Sequence, residues 1–305
     1  MNANVLREFI NKLLLEIPEN ILKLYFSRWV TSRYISHQPQ LSNELQHKII
    51  SVVLPPLRAR LGDSIVEYNP IGVGDDEVEK LEITKIPYIA SFLESIADGI
   101  VTKDMNTLKL EKIDFYCIKL FFDEQKMYLF RQFNKLKQLR KGIFAQIVND
   151  ELRTMKSNFL GIDDATDIVL FNEEAYLINH ISLERIFKYK DEFLKKTNEA
   201  LGELLRKSVV TNIDQFAEDC CSDIRIMKRF TNIMTKGRLP LFFDNYDKVA
   251  EIVQELELDI EFDDNGKLIY RERSQLFHII NLLSDSYFKT LLADRTEVAK
   301  LEGEL

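Results

Sequence analysis

The chain has 305 residues, is 46% hydrophobic and 30% charged, and carries a formal net charge of -8. A chain of that length and mix can bury a substantial core without disulfides or metals, which excludes both a disordered polymer and a disulfide-stapled miniprotein. No run approaches the ~20 uninterrupted apolar residues of a spanning helix, and three cysteines (Cys117, Cys220, Cys221) with no metal-ligand spacing point to a reducing cytosol.

Leu6, Ile10, Leu13, Leu14 and Ile17 recur at helical spacing, interrupted by Arg7, Glu8, Lys12 and Glu16. This predicts an amphipathic helix rather than a signal peptide. Pro18 marks a second helix start before "ENILKLYFSRWV", and "LSNELQHKIISVVLPPLRARLGD" predicts a third, capped by Ser42 and stopped or bent at Pro55-Pro56. "SIVEYNPIGVGDDE" predicts a short strand and a loop, and Ile83 to Ile100 a short strand and a helix. The best linker is "DGIVTKDMN", Asp98 to Asn106. These features predict a mostly helical N-terminal region over residues 1–103 and an α+β domain over residues 104–305.

Beyond the linker the pattern changes. "KIDFYCIKLFF" and "KMYLFRQF" are apolar on both faces and flank a tight connection at Asp123, Glu124 and Gln125, which predicts a buried central hairpin from Ile113 to Phe133. "GIFAQIVN" and "DIVLF" read as further strands, and "AYLINH" pairs with the latter across Asn172, Glu173 and Glu174. Helices follow at "SLERIFKY", at Lys190 to Val210, and from Asp214 to Lys236 with a stop at Gly237. "DNYDKVAEIVQELEL" predicts a shorter helix capped by Asp244, "LDIEFDDNGKLIY" a third hairpin, and "SQLFHIINLLSDSYF" a last helix. The fold class is therefore α+β, a helical N-terminal segment followed by an antiparallel-rich sheet with packed helices.

"EFDDNGKLIYRE", Glu261 to Glu272, nearly matches a calcium loop, but its hydrophobics alternate at strand period around Asn-Gly, so a hairpin is the better reading. Asp163, Asp164 and Asp167 could offer carboxylates to a metal but stand just before a strand, where acidic turn residues are common. His37, His47, His180 and His278 show no ligand spacing, and no glycine run has the context of a phosphate loop. Glu111, Asp114 and Lys119 are the nuclease-type candidates, but Asp114 and Lys119 point to opposite faces of one strand. No catalytic residue, metal ligand, cofactor or small-molecule substrate is nominated.

Charge is segregated along the chain. From Lys119 to Lys141 seven basic residues (Lys119, Lys126, Arg131, Lys135, Lys137, Arg140, Lys141) stand against Asp123 and Glu124. A second cluster, Arg225, Lys228, Arg229, Lys236 and Arg238, stands against Asp223 alone, and its first three members share one helix face. Asp244 to Glu272 is strongly acidic. Screening confines each field to about 10 Å, so an acidic protein can still present a basic face to phosphates. Arg131, Lys135, Lys137, Arg140, Lys141, Arg225, Lys228, Arg229, Lys236 and Arg238 are accordingly the DNA-binding candidates, expected to read the phosphate backbone rather than sequence.

"DIVLFNEEAYLINHISLERIFKYKDEF", Asp167 to Phe193, and "LDIEFDDNGKLIYRERSQLFHIINLLSDSYF" further on resemble a bacterial family that includes the KwaB subunit of the Kiwa antiphage defence system. The resemblance covers roughly Lys112 to Arg295 and does not extend past it, the end "ADRTEVAKLEGEL" being less like the family. It implies a cytosolic effector that binds DNA and partners a small multi-spanning membrane protein, KwaA, which would hold it at the inner face of the membrane. The expected function is thus non-enzymatic DNA binding in phage defence, with a metal-dependent nuclease or a protein-only scaffold as alternatives. The family likeness and the apolar residues of the helix from Lys190 to Val210 suggest a homodimer.

Overall fold

The computed structural model describes residues 2–62, 64–72, 74, 77–133, 145–148, 151–154, 161–289 and 296–299. In chain order its elements are α1 (Asn2–Leu15), β1 (Leu22–Val30), β2 (Arg33–His37), α2 (Asn43–Arg60), β3 (Ser64–Glu67), β4 (Glu77–Glu82), α3 (Ile89–Ser95), β5 (Phe115–Phe122), β6 (Gln125–Gln132), β7 (Ala145–Val148), β8 (Glu151–Thr154), β9 (Ile168–Phe171) and β10 (Glu174–Leu177). Helices α4 (His180–Phe187), α5 (Lys190–Lys207), α6 (Ile213–Ser222), α7 (Ile224–Thr235), α8 (Arg238–Asp244) and α9 (Val249–Glu255) follow. The chain continues through β11 (Glu261–Phe262), β12 (Leu268–Ile269), α10 (Leu276–Leu283), β13 (Tyr287–Lys289) and β14 (Thr296–Val298). The α+β class is as expected.

Two compact units divide the chain, residues 1–66 with 78–187, and residues 67–77 with 188–305. The division expected near residue 103 therefore falls elsewhere. The reason is strand pairing: β1 and β4, both in the supposed helical region, join the sheet whose middle is made by β5, β6, β9 and β10.

The first unit is built on an eight-stranded sheet of order β2-β1-β5-β6-β9-β10-β4-β3. The β5–β6 hairpin is central, as its two-sided apolarity predicts. Asp123 and Glu124 take positive φ of 49° and 63° and close it as a two-residue turn that fits the twist of its strands. Alternation sorts the residues into two faces. On one face Leu22, Leu24 and Phe26 of β1, Tyr116, Ile118 and Leu120 of β5, and Met127 and Leu129 of β6 pack under α1 and α2. On the other face Phe115 and Phe130 meet Phe92 of α3 and Phe187 of α4 in a ring cluster, with centroids 5.0–6.5 Å apart.

Two expectations are corrected here. "ENILKLYFSRWV" forms strand β1 rather than a helix, paired on both sides by β2 and β5. Helix α2 does not stop at Pro55 and Pro56 but continues to Arg60. Both prolines are exposed, so the carbonyls of Ser51 and Val52 that lose an N–H partner lie on the watered side of the helix. Ser42 caps that helix as expected, its hydroxyl accepting from the Leu45 N–H at 3.3 Å.

The second unit packs α5 to α10 around Phe216, Phe230, Leu204, Tyr270 and Ile279. The helix expected from Asp214 to Lys236 is two helices. Asp223 breaks it in extended geometry (φ -120°, ψ 119°), and its carboxylate caps α7 by accepting from the Arg225 N–H at 2.9 Å. The chain then turns at Gly237, whose φ of 63° suits a residue without Cβ, and enters α8, which no sequence signal predicted.

Candidate nucleic-acid interface

Arg131 stands at the end of β6. Its guanidinium donates to both oxygens of Asp163 at 2.7–3.1 Å and to Asp167 Oδ1 at 2.8 Å. Asp167 is 1% exposed and also accepts from the backbone N–H of Gln132 and the amide of Asn179. Tyr116 donates its hydroxyl to Asp163 at 3.0 Å. Burial alone would raise the Asp163 carboxyl, but the bonds from Arg131 and Tyr116 outweigh it and hold the group below its ordinary range. Hydrogen bonding to Asp163 likewise raises the Arg131 guanidinium above its usual value.

This arrangement ties Arg131, just before residue 134, to Asp163 and Asp167, just after residue 160. It fixes both feet of the stretch that carries Lys135, Lys137, Arg140 and Lys141. Those four candidates lie outside the described residues. The charge of Arg131 is spent on two carboxylates, so it holds the base of the basic run.

The remaining candidates are in the second unit, on and after α7. Arg225 is exposed and forks onto Asp223, with Nε–Oδ1 at 3.2 Å and Nη2–Oδ2 at 2.8 Å. That hydrogen bond is the main reason the Asp223 carboxyl is held below its ordinary value. Lys228 lies with its ammonium 5.7 Å from the ring centroid of Phe193. Arg229 covers Phe277 at 5.4 Å and donates to Asn281 Oδ1 at 3.0 Å. Lys236 is exposed at the C-terminal end of α7. Arg238 instead binds the Ser284 carbonyl at 2.8 Å, at the end of α10, with Asp285 at 3.7 Å. Arg225, Lys228 and Arg229 thus share one side of α7, as their spacing predicts, and Arg238 is committed to a helix terminus.

Sequence reasoning missed Arg273. It lies 3.4 Å from Asp223, so two arginines share one carboxylate. No local signal could mark it, because Arg225 stands 2 positions from Asp223 and Arg273 stands 50 positions away.

The other chemical candidates resolve into structure. Asp163 and Asp167 are held by Arg131, as above. The calcium-like segment is the β11–β12 hairpin, in which Asp263 accepts from the N–H groups of Asn265 and Lys267 while Glu261 pairs with Arg271. Asp114 accepts from the Trp29 N–H at 2.7 Å. Among the described residues no group of three His, Cys, Asp or Glu is placed to hold a metal ion, and no helix is long and apolar enough to cross a membrane.

Fold and charge together define an α+β protein with an antiparallel central sheet, a helical second unit and basic side chains gathered on particular elements. Residues 110–293 match the family model described as Kiwa protein KwaB-like. The match spans more than half of the chain, which therefore belongs to that family, the KwaB component of Kiwa antiphage defence. No curated protein and no solved structure shows significant similarity to the chain.

Proposed function

We propose that the chain is a DNA-binding effector of antiphage defence that grips phosphates without catalysis and acts with a membrane-embedded partner, KwaA. The observation that carries this reading is the positive side of α7. Arg225, Lys228 and Arg229 lie on one helix, two of them over aromatic rings, and Arg273 adds a second arginine beside Asp223. Such side chains suit phosphate oxygens and carry no base code. The run Lys135, Lys137, Arg140 and Lys141, braced at its base by Arg131, is the second proposed phosphate-binding element. Arg131 itself is left out of the DNA-facing residues because its charge is already neutralised. A homodimer is part of this proposal and follows the family reading.

A gel-shift series tests it. Duplexes of unrelated sequence should bind with similar affinity, binding should weaken steeply as salt rises, and added magnesium should leave the DNA uncut. Absence of any shift at low salt would favour a protein-only scaffold. Magnesium-dependent cleavage would favour a nuclease.

A further inference from the structure

Three lysines stand together on the sheet of the first unit. Lys23 of β1 and Lys119 of β5 are direct cross-strand partners. Lys119 faces Tyr128 of β6, and Lys126 lies two residues from Tyr128 and opposite Phe121. Alternation puts Lys23, Lys119, Phe121, Lys126 and Tyr128 on one face. It is the face whose other end is covered by α3 and α4, opposite the α1–α2 core. Like charges placed directly across an antiparallel pair destabilise a sheet. The lysines have little to offset them. Asp98 lies 3.6 Å from Lys23, and among the described residues no ion pair holds Lys119 or Lys126. The Lys119 ammonium rests 5.5 Å from the Tyr128 ring centroid. Burial, then the charges of Lys126 and Lys23, hold it below the usual lysine range. Beside them Phe121 is 47% exposed, although Leu120 before it is buried.

A repulsive trio of lysines next to an exposed ring is costly to the isolated fold and complementary to a strand of phosphates and unpaired bases. We infer that Lys23, Lys119, Lys126 and Phe121 form a binding site for single-stranded nucleic acid, the ammonium groups meeting phosphates and the Phe121 ring stacking on a base. Duplex fits worse, because its bases already stack on one another and offer no free face to Phe121. The inference rests on the nucleic-acid reading above but uses a different unit and a different element from α7.

The test uses the full chain and fluorescence anisotropy with two labelled probes, an oligothymidylate of about 16 nucleotides and a duplex of the same length. The triple variant Lys23→Gln, Lys119→Gln, Lys126→Gln should lose roughly tenfold or more in strand affinity. Its salt slope should fall by about 2, since each phosphate met on a single strand contributes about 0.7. Duplex affinity should stay within about twofold. Phe121→Ala, an exposed change that leaves the charges in place, should weaken strand binding about fivefold or more. The inference is overturned if the triple variant keeps strand affinity within twofold, or if it loses duplex affinity to the same extent. A wild-type chain that binds duplex but not the strand overturns this inference alone, whereas one that binds neither probe at low salt overturns the DNA reading itself.

Discussion

Arg131 and Asp167 meet at 2.8 Å, the guanidinium partly covered and the carboxylate almost wholly so, and Asp163 closes the other side of the same guanidinium. A buried charge in this setting depends on its partner more than an exposed one does, because water cannot take the partner's place.

Arg131→Met should therefore destabilise the protein by about 3–5 kcal/mol, since it strands Asp167 as an uncompensated charge. Arg131→Lys should recover only part of that loss, because an ammonium cannot fork onto Asp163 while reaching Asp167. Urea unfolding of the three proteins measures both differences. A loss below about 1 kcal/mol for Arg131→Met would show that the bridge is incidental.

The same bridge sets a pH signature. The Asp163 carboxyl is held below its unfolded value, so its contribution is fully present above about pH 4 and is lost as pH falls through the folded value. The stability gap between wild type and Asp163→Asn should be constant from neutral pH to about pH 5 and narrow below pH 4. A gap that widens on acidification would contradict this assignment.

Lys119 predicts a second window, at alkaline pH. Its folded proton is released more readily than in the unfolded chain, so between the lowered folded value and about pH 10.4 the unfolded state binds more protons and stability rises with pH, while below that window the cost of the charged lysine is fully present. Lys119→Met should raise the thermal midpoint at neutral pH, with a benefit that shrinks as the buffer approaches pH 10. Equal stability of the two proteins throughout would mean that the lysine trio carries no strain.

The basic run is tested by charge reversal. Lys137, Arg140 and Lys141 changed together to glutamate should weaken duplex binding strongly and reduce the salt slope by about one for each phosphate the variant no longer neutralises. If these side chains are solvated, as phosphate binding would require, each contributes roughly 0–1 kcal/mol, so the thermal midpoint should move little. A folded triple variant with wild-type affinity at low salt would leave this run a solvated surface.

On α7 the two arginines should separate. Arg225→Ala removes an exposed side chain and should reduce DNA affinity with little effect on stability. Arg229→Ala also removes the cover of Phe277 and the bond to Asn281, so it should cost about 1 kcal/mol of stability as well. Thermal melts beside anisotropy titrations would show the split, and equal stability losses would remove the distinction.

The central hairpin, the β9–β10 pair and helices α5 and α10 could be read from periodicity and turn residues, because those signals act within a few positions. β1 could not. Ile21, Leu22, Tyr25 and Phe26 satisfy helical spacing, and what makes the segment a strand is the ladder to β5, formed by residues some ninety positions away. The role of Arg131 is hidden for the same reason. Its sequence neighbours are basic, and the acids that neutralise it stand 32 and 36 positions downstream. Charge counting along a chain finds where cations are plentiful, and only the fold shows which of them are already answered.

The strand order bears on how the protein is made. β1 and β2 form one flank of the sheet and β4 and β3 the other, while the middle four strands are contributed later, by residues 115–177. A nascent chain that has emerged only through residue 103 holds two outer strips with nothing between them, each with an open edge that wants a neighbour. Such edges are sticky until β5, β6, β9 and β10 arrive, which makes a long-range, slow-closing topology and a natural client for ribosome-associated chaperones. The complementary truncation suffers equally. A fragment limited to the family-matched residues 110–293 would keep the inner strands and lose both flanks together with α1 and α2, so expression trials on that fragment should yield aggregate where the full chain stays in solution.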